Sequence, residues 1–267
     1  VRAMPVEQRM TLCNLNIEMG GRSGFVAPDD AAIGWIAGRP FAPRGATWDQ
    51  ALAHWRTLAS DEGAAFDREH VLDCDGLEPQ ITWGTDPSQV LGISGRVPDP
   101  AAVEQSRRAA AESALDYMDL QPGMALAGLK VDRVFIGSCT NSRLPDLQAA
   151  ADVVRGRHVA QGVIAMVVPG STTVKRAAEA AGLDRVFRDA GFFWGESGCS
   201  MCAGGNGDRG EPGERCVSTT NRNFEHRQGP KVRTHLVSPA TAAATAIAGR
   251  IADVRHLMAG QMLSGQA

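Results

Sequence analysis

From residue 101 onward, the apolar residues of this 267-residue chain fall into a regular alternation of continuous runs and helical stripes. Val131–Ile136 is a short apolar, β-branched run, the pattern of a buried strand. Leu144–Val154 spaces its apolar residues along one face of a helix, and Val163–Val168 is a second continuous apolar strand. Ala101–Met118, Thr172–Ala181 and Leu183–Ala190 are helical in composition, with Gly182 breaking the last two apart. Phe192–Trp194 and Cys216–Thr219 read as further short strands. Ser238-Pro239 supplies an N-cap and a first-turn proline for a helix over Ala240–Arg250. Strands alternating with helices predict an α/β layer with mainly parallel pairing.

The first hundred residues are less periodic. Met10–Asp30, rich in Gly, Asn and Met, reads as an irregular segment that lines a site. Thr47 caps a helix Trp48–Leu58 that carries Trp48, Leu52 and Trp55 on one face. Val71 and Leu72 end a short strand, and Cys74–Pro79 is a turn or domain junction. Ile81–Trp83 and Val90–Ile93 are short strands followed by the linker-like Gly95–Pro100. The expected domains are therefore 1–76 and 77–267.

Composition removes several function classes. Apolar residues make up 43% and charged residues 21%, which excludes a disordered chain. A net charge of −3 gives no electrostatic reason to expect nucleic acid or a membrane surface as partner. No apolar run approaches the roughly 20 residues of a membrane helix. Six cysteines in a chain this long do not make a secreted disulfide scaffold, so reduced thiols in the cytoplasm are expected. The chain begins at Val1 without an initiator Met, and the first residue is read as a cut edge.

Candidate chemistry lies where the strands end, because open α/β sheets build their sites at the carboxyl ends of strands. Gly137-Ser-Cys-Thr-Asn141 follows the first strand of the regular region, Pro169-Gly-Ser171 the next, and Ser197-Gly-Cys-Ser-Met-Cys202 the one after. Cys199 and Cys202 form a C-x-x-C pair, able to chelate a metal or cycle as a dithiol. Only Cys139 stands at a comparable strand end. Three thiols without a fourth suit an iron–sulfur cube left open at one iron, which can then act as a Lewis acid. Cys13, Cys74 and Cys216 are expected to be buried small apolar residues.

Four motifs in order carry a family resemblance: Met10-Thr-Leu-Cys-Asn-Leu-Asn-Ile-Glu18, Phe135-Ile-Gly-Ser-Cys-Thr-Asn-Ser-Arg143, Gly198-Cys-Ser-Met-Cys202 and Thr220-Asn-Arg-Asn-Phe-Glu-His-Arg227. Over about Gln8 to Arg255 the chain resembles the aconitase superfamily, in its two-subunit isopropylmalate dehydratase branch. The resemblance implies layered α/β domains with mainly parallel sheets and a [4Fe-4S] cluster at strand ends. It implies Cys139, Cys199 and Cys202 as cluster ligands, and Asn221, Arg222 and Arg227 as substrate-binding residues. The arginines hold carboxylates through paired charge-assisted hydrogen bonds. It also implies Asn14 and Glu18 as catalytic residues near the open iron and its bound water.

The implied activity is a hydro-lyase that interconverts 2- and 3-isopropylmalate in leucine biosynthesis, acting on a small dicarboxylic hydroxy acid. Homocitrate-type, methylmalate-type or citrate-type hydro-lyases, or a non-catalytic metal-binding remnant, are the alternatives. The implied partners are the small subunit, which brings the proton-abstracting serine, and a preceding domain with a Gly-Asp-Ser-His-Thr stretch that this sequence does not contain. The chain alone is therefore expected to be inactive. Two local departures stand out: His226 occupies a position where the family usually has Gly, and Ala203-Gly-Gly-Asn206 is expected to loosen the turn behind Cys202.

Overall fold

The computed structural model describes residues 1–205 and 207–260, which leaves Asn206 outside the description, and the chain separates into two compact units, Val1–Asp75 and Gly76–Ala267.

The first unit is built of three helices: α1 (Val6–Leu15), α2 (Asp30–Ile36) and α3 (Ala46–Trp55), with a 3-10 turn at Asn16–Met19. Part of the segment expected to be irregular is thus helical. Val6–Leu15 is rich in good helix formers but carries no apolar stripe, so periodicity alone passes over it. Among the described side chains of this unit only Arg9 is fully buried. Its guanidinium donates to Asp29 Oδ1 (2.8 Å), the Met4 carbonyl (2.9 Å) and the Arg2 carbonyl (2.7 Å). Asp29 in turn caps α2 by accepting from the Ala32 N–H at 3.0 Å. The Arg9 hydrogen bond and that N–H hold the Asp29 carboxyl down to about 2. Helix α3 starts two residues earlier than the Thr47 cap implied, because Gly45 (φ 56°) turns the chain into it. Val71 and Leu72 are exposed and form no strand, having no neighbouring strand to pair with. Cys74 is exposed and Cys13 half-buried, contrary to the expectation of buried thiols.

The second unit opens with an antiparallel pair, β1 (Gln80–Thr82) and β2 (Val90–Gly92). A 3-10 turn at Pro100–Ala102 precedes α4 (Gln105–Met118). The expected single helix is split because Val103 is extended (φ −86°, ψ 151°). Then follow β3 (Arg133–Ile136), α5 (Leu144–Val154), β4 (Ile164–Val167), α6 (Thr172–Ala180), α7 (Leu183–Asp189), β5 (Phe193–Trp194), β6 (Arg215–Ser218), β7 (Arg233–Leu236), α8 (Pro239–Ala248) and α9 (Val254–Met258). The five strands β3 to β7 form one sheet, order β5-β4-β3-β6-β7, parallel throughout. This is the α/β architecture the sequence implied.

Strand alternation divides the core in two. Val134 and Ile136 of β3, Val167 of β4 and Val217 of β6 join the main core with Leu147, Ala150 and Val154 of α5 and the alanines of α8. Phe135, Met166 and Cys216 point the other way into a smaller cluster with Val168, Met201 and Val232. Strand β7 is invisible to a hydrophobic pattern because its central residues, Thr234 and His235, are polar yet buried.

Candidate functional site

The order in which strands are added reverses at the centre of the sheet. From β3 the chain steps outward through β4 to β5, then returns to place β6 on the other side of β3. At such a switch point the loops leaving two adjacent strands diverge and open a crevice. Here those are the loops after β3 and β6. They are cross-tied: the Gly137 N–H donates to Thr219 Oγ1 (2.9 Å), Thr219 Oγ1 donates to the Gly137 carbonyl (2.8 Å), and Asn141 Nδ2 donates to the Thr219 carbonyl (3.0 Å).

Cys139 is exposed in the middle of the β3 loop, between buried Ser138 and Thr140, whose hydroxyls share a 2.8 Å hydrogen bond. Ser138 adopts a positive φ of 89°, a conformation that costs a non-glycine residue free energy unless its surroundings enforce it. Ser142 Oγ donates to the Val168 carbonyl (2.7 Å), so the β3 and β4 loops are also tied.

Cys199 caps and Cys202 ends a 3-10 turn, Ser200–Cys202, closed by the Cys202 N–H on the Cys199 carbonyl at 2.7 Å. Met201 pins this turn by inserting, fully buried, into the smaller core cluster, against which Cys202 also packs. Ser200 (φ 45°) donates to Asp208 Oδ2 at 2.9 Å. Gly204 is part of this support. It sits at φ 62°, and an added Cβ would stand 3.2 Å from the Arg227 carbonyl. The glycine lets the cysteine turn pack against the arginine loop, where a looser turn had been expected.

That loop follows β6 and carries Asn221, Arg222 and Arg227. Arg227 Nη2 lies 3.8 Å from Cys202 Sγ, its Cζ is 5.1 Å from the centre of the Phe224 ring, and its Nε is buried without a partner. Asn221 and Arg222 are half-buried. His226 has φ 66°, which explains why glycine suits this position. Its ring faces Tyr117 edge-on (5.6 Å) and its Nδ1 accepts from the Lys231 N–H at 3.0 Å, so the ring is taken up away from Arg227.

The structure thus brings Cys202 and Arg227 into contact and puts Cys139, Cys199, Asn221 and Arg222 on loops at the same ends of the sheet. Asn14, exposed in α1, and Glu18, half-buried in the 3-10 turn, belong to the first unit. All six cysteines are free thiols. Among the described residues, no group of three or more His, Cys, Asp or Glu side chains is placed to hold a single metal ion. A cube is a different case, since each thiolate takes its own iron. Three free thiols on loops that flank β4, one beside a guanidinium, fit that demand as a donor set. Burial pushes the Cys216 thiol up to about 12, which sets it apart as an inert core residue. Sequence reasoning missed Thr219 and Asn223 as supports. Asn223 had one available signal, its place between the two arginines.

The family model for aconitase (aconitate hydratase) matches residues 1–249. The chain belongs to the aconitase family. Within it, the chain is 60% identical over 258 residues to a 3-isopropylmalate dehydratase large subunit of Bradyrhizobium diazoefficiens. It is 58% identical to one from Cupriavidus necator and 57% identical to one from Roseiflexus castenholzii. Each match covers 96% of this chain. The chain spans about half of the Bradyrhizobium and Roseiflexus relatives (54%) and 96% of the Cupriavidus one. The resemblance read from the four motifs is therefore borne out. Among the described residues no helix is long and apolar enough to cross a membrane.

Proposed function

We propose that this chain is the cluster-bearing part of a hydro-lyase that interconverts 2-isopropylmalate and 3-isopropylmalate in leucine biosynthesis, in the cytoplasm. The observation that carries the proposal is the contact of Arg227 with Cys202, which sets an anion-binding cation beside a candidate ligand thiol at a sheet switch point. Cys139, Cys199 and Cys202 would hold a [4Fe-4S] cluster, which supplies a Lewis acid for the substrate hydroxyl. Arg222 and Arg227 bind the substrate carboxylates and stabilise the negative charge that grows on one of them as the neighbouring proton leaves. Asn221 orients the substrate by hydrogen bonding. For the first unit, the role proposed for Asn14 is hydrogen bonding at the hydroxyl end, and for Glu18 carrying a proton on its carboxylate. A small subunit supplies the base that takes the proton, and turnover requires it together with the remaining half of a full-length large subunit. The relatives' names as large subunits support the first requirement, and the lengths of two of the three support the second.

Anaerobic reconstitution with iron and sulfide tests the proposal. An oxygen-sensitive cluster absorbance is expected, abolished by Cys139→Ala, Cys199→Ala or Cys202→Ala and retained in Cys216→Ala. Stoichiometric zinc without iron after anaerobic handling would overturn it.

A further inference from the structure

Strand β7 buries two polar residues where an apolar strand would pack without needing partners, and both lead to the arginine loop. His235 is fully buried. Its Nδ1 faces the Thr82 carbonyl at 2.7 Å and its Nε2 faces Arg215 Nη1 at 2.8 Å. A carbonyl only accepts and a guanidinium only donates, so Nδ1 carries the proton and Nε2 is the acceptor. Burial and the nearby Arg215 charge hold this ring neutral, down to about 3. Arg215 Nη2 continues to the Met118 carbonyl at 3.0 Å, the end of α4.

On the other side, Thr82 Oγ1 accepts from the Leu236 N–H (2.7 Å) and from Asn223 Nδ2 (3.2 Å). Asn223 is 2% exposed and also donates to the Gly84 carbonyl at 2.6 Å and the Thr234 carbonyl at 3.3 Å. The far end of the loop is held in the same manner. Gln228, 1% exposed, donates to Ser218 Oγ at 3.0 Å and accepts from Thr234 Oγ1 at 2.9 Å.

We infer that the buried chain Met118–Arg215–His235–Thr82–Asn223, with Thr234–Gln228 as its second anchor, positions the loop that presents Arg222 and Arg227. The inference rests on the reading that these arginines bind substrate carboxylates, and it adds Thr82, Asn223 and His235 as positioning residues. Buried polar groups that merely filled space would be replaceable by apolar ones at little cost. Buried hydrogen-bond chains restrict geometry, and this one ties down the segment between the two arginines through the Asn223 amide nitrogen, while Asn223 Oδ1 is buried without a partner. His235 acts as a strut, with no proton to give or take.

Thr82→Val removes the shared hydroxyl while keeping shape, and Thr82→Ser keeps the hydroxyl. Amide hydrogen exchange of the full chain should rise ~10-fold over residues 221–227 in Thr82→Val, with β3 and β6 unchanged and Thr82→Ser close to the parent. In the assembled enzyme with its small subunit, KM for the dicarboxylate should rise ~10-fold in Thr82→Val while kcat changes little. Unchanged exchange in the loop, or a rise spread evenly over the sheet, would overturn the positioning role. Faster loop exchange with an unaltered KM would uphold the relay and instead remove Arg222 and Arg227 from substrate binding. Asn223→Ala should reproduce the Thr82→Val pattern, and parental exchange in that variant would also count against the relay.

Discussion

The two faces of the parallel sheet are covered by different kinds of structure. One face meets α5 and α8 and forms a broad core of valine, leucine and alanine. The other is closed by a few side chains, chiefly Phe135, Met201, Val168 and Val232, which come from loops as much as from strands. The helix-covered face stores most of the buried apolar area. The loop-covered face stores little but decides where Cys202 stands. The broad apolar core and the turn that carries the candidate ligand Cys202 lie on opposite sides of the same strands.

The largest effect that would sharpen this contrast is expected on the helical side. Leu147→Ala, at a fully buried position of α5, should cost about 2–5 kcal/mol in urea unfolding. Thiol accessibility at Cys199 should stay the same under native conditions. Met201→Ala tests the other side: a smaller loss of about 2 kcal/mol is expected, with faster alkylation of Cys202. If Met201→Ala left Cys202 as slow to react as in the parent, the turn would be held by something other than its buried methionine.

Near neutral pH the smallest effect comes from His235. Its native proton affinity is held down to about 3, against an ordinary value of 6.5. The unfolded chain therefore binds the proton first, and stability is complete above pH 6.5 and falls as pH drops towards 3. Between pH 7 and 6 the loss is roughly 0.7 kcal/mol, steepening to at most about 1.4 kcal/mol per pH unit below that. His235→Gln should remove this slope in denaturation curves taken from pH 7 to 4. A slope that persists in the variant would assign it to other groups.

The same contrast explains what could be read from the sequence. β3, β4, α5 and α8 announce themselves because their burial is apolar and periodic, and the thiols of the site are visible because C-x-x-C spacing is a chemical pattern. β7 and the support of the arginine loop were not legible. Their burial is polar, satisfied by partners as distant in sequence as Thr82 and Asn223, and no local window contains both ends of such a bond. Helix α1 was missed for a related reason: its key residue, Arg9, is a buried cation whose partner Asp29 lies 20 residues away. The positive φ of Ser138 and Ser200 left no trace either, since neither residue is the glycine that usually marks such a turn.

The placement of β6 beside β3 also sets a timetable. The tie between Gly137 and Thr219 closes a span of 82 residues, and no shorter piece of the chain can form it. During synthesis, Cys139 emerges long before the loops that complete its surroundings, and the pairing of β3 with β6 must wait until Thr219 has been made. Long-range parallel pairing of this kind is slow because the entropy of closing the loop is spent before the contacts that compensate it exist. The candidate thiol rim is accordingly completed only once β6 has paired, so loading of the proposed cluster belongs after that pairing.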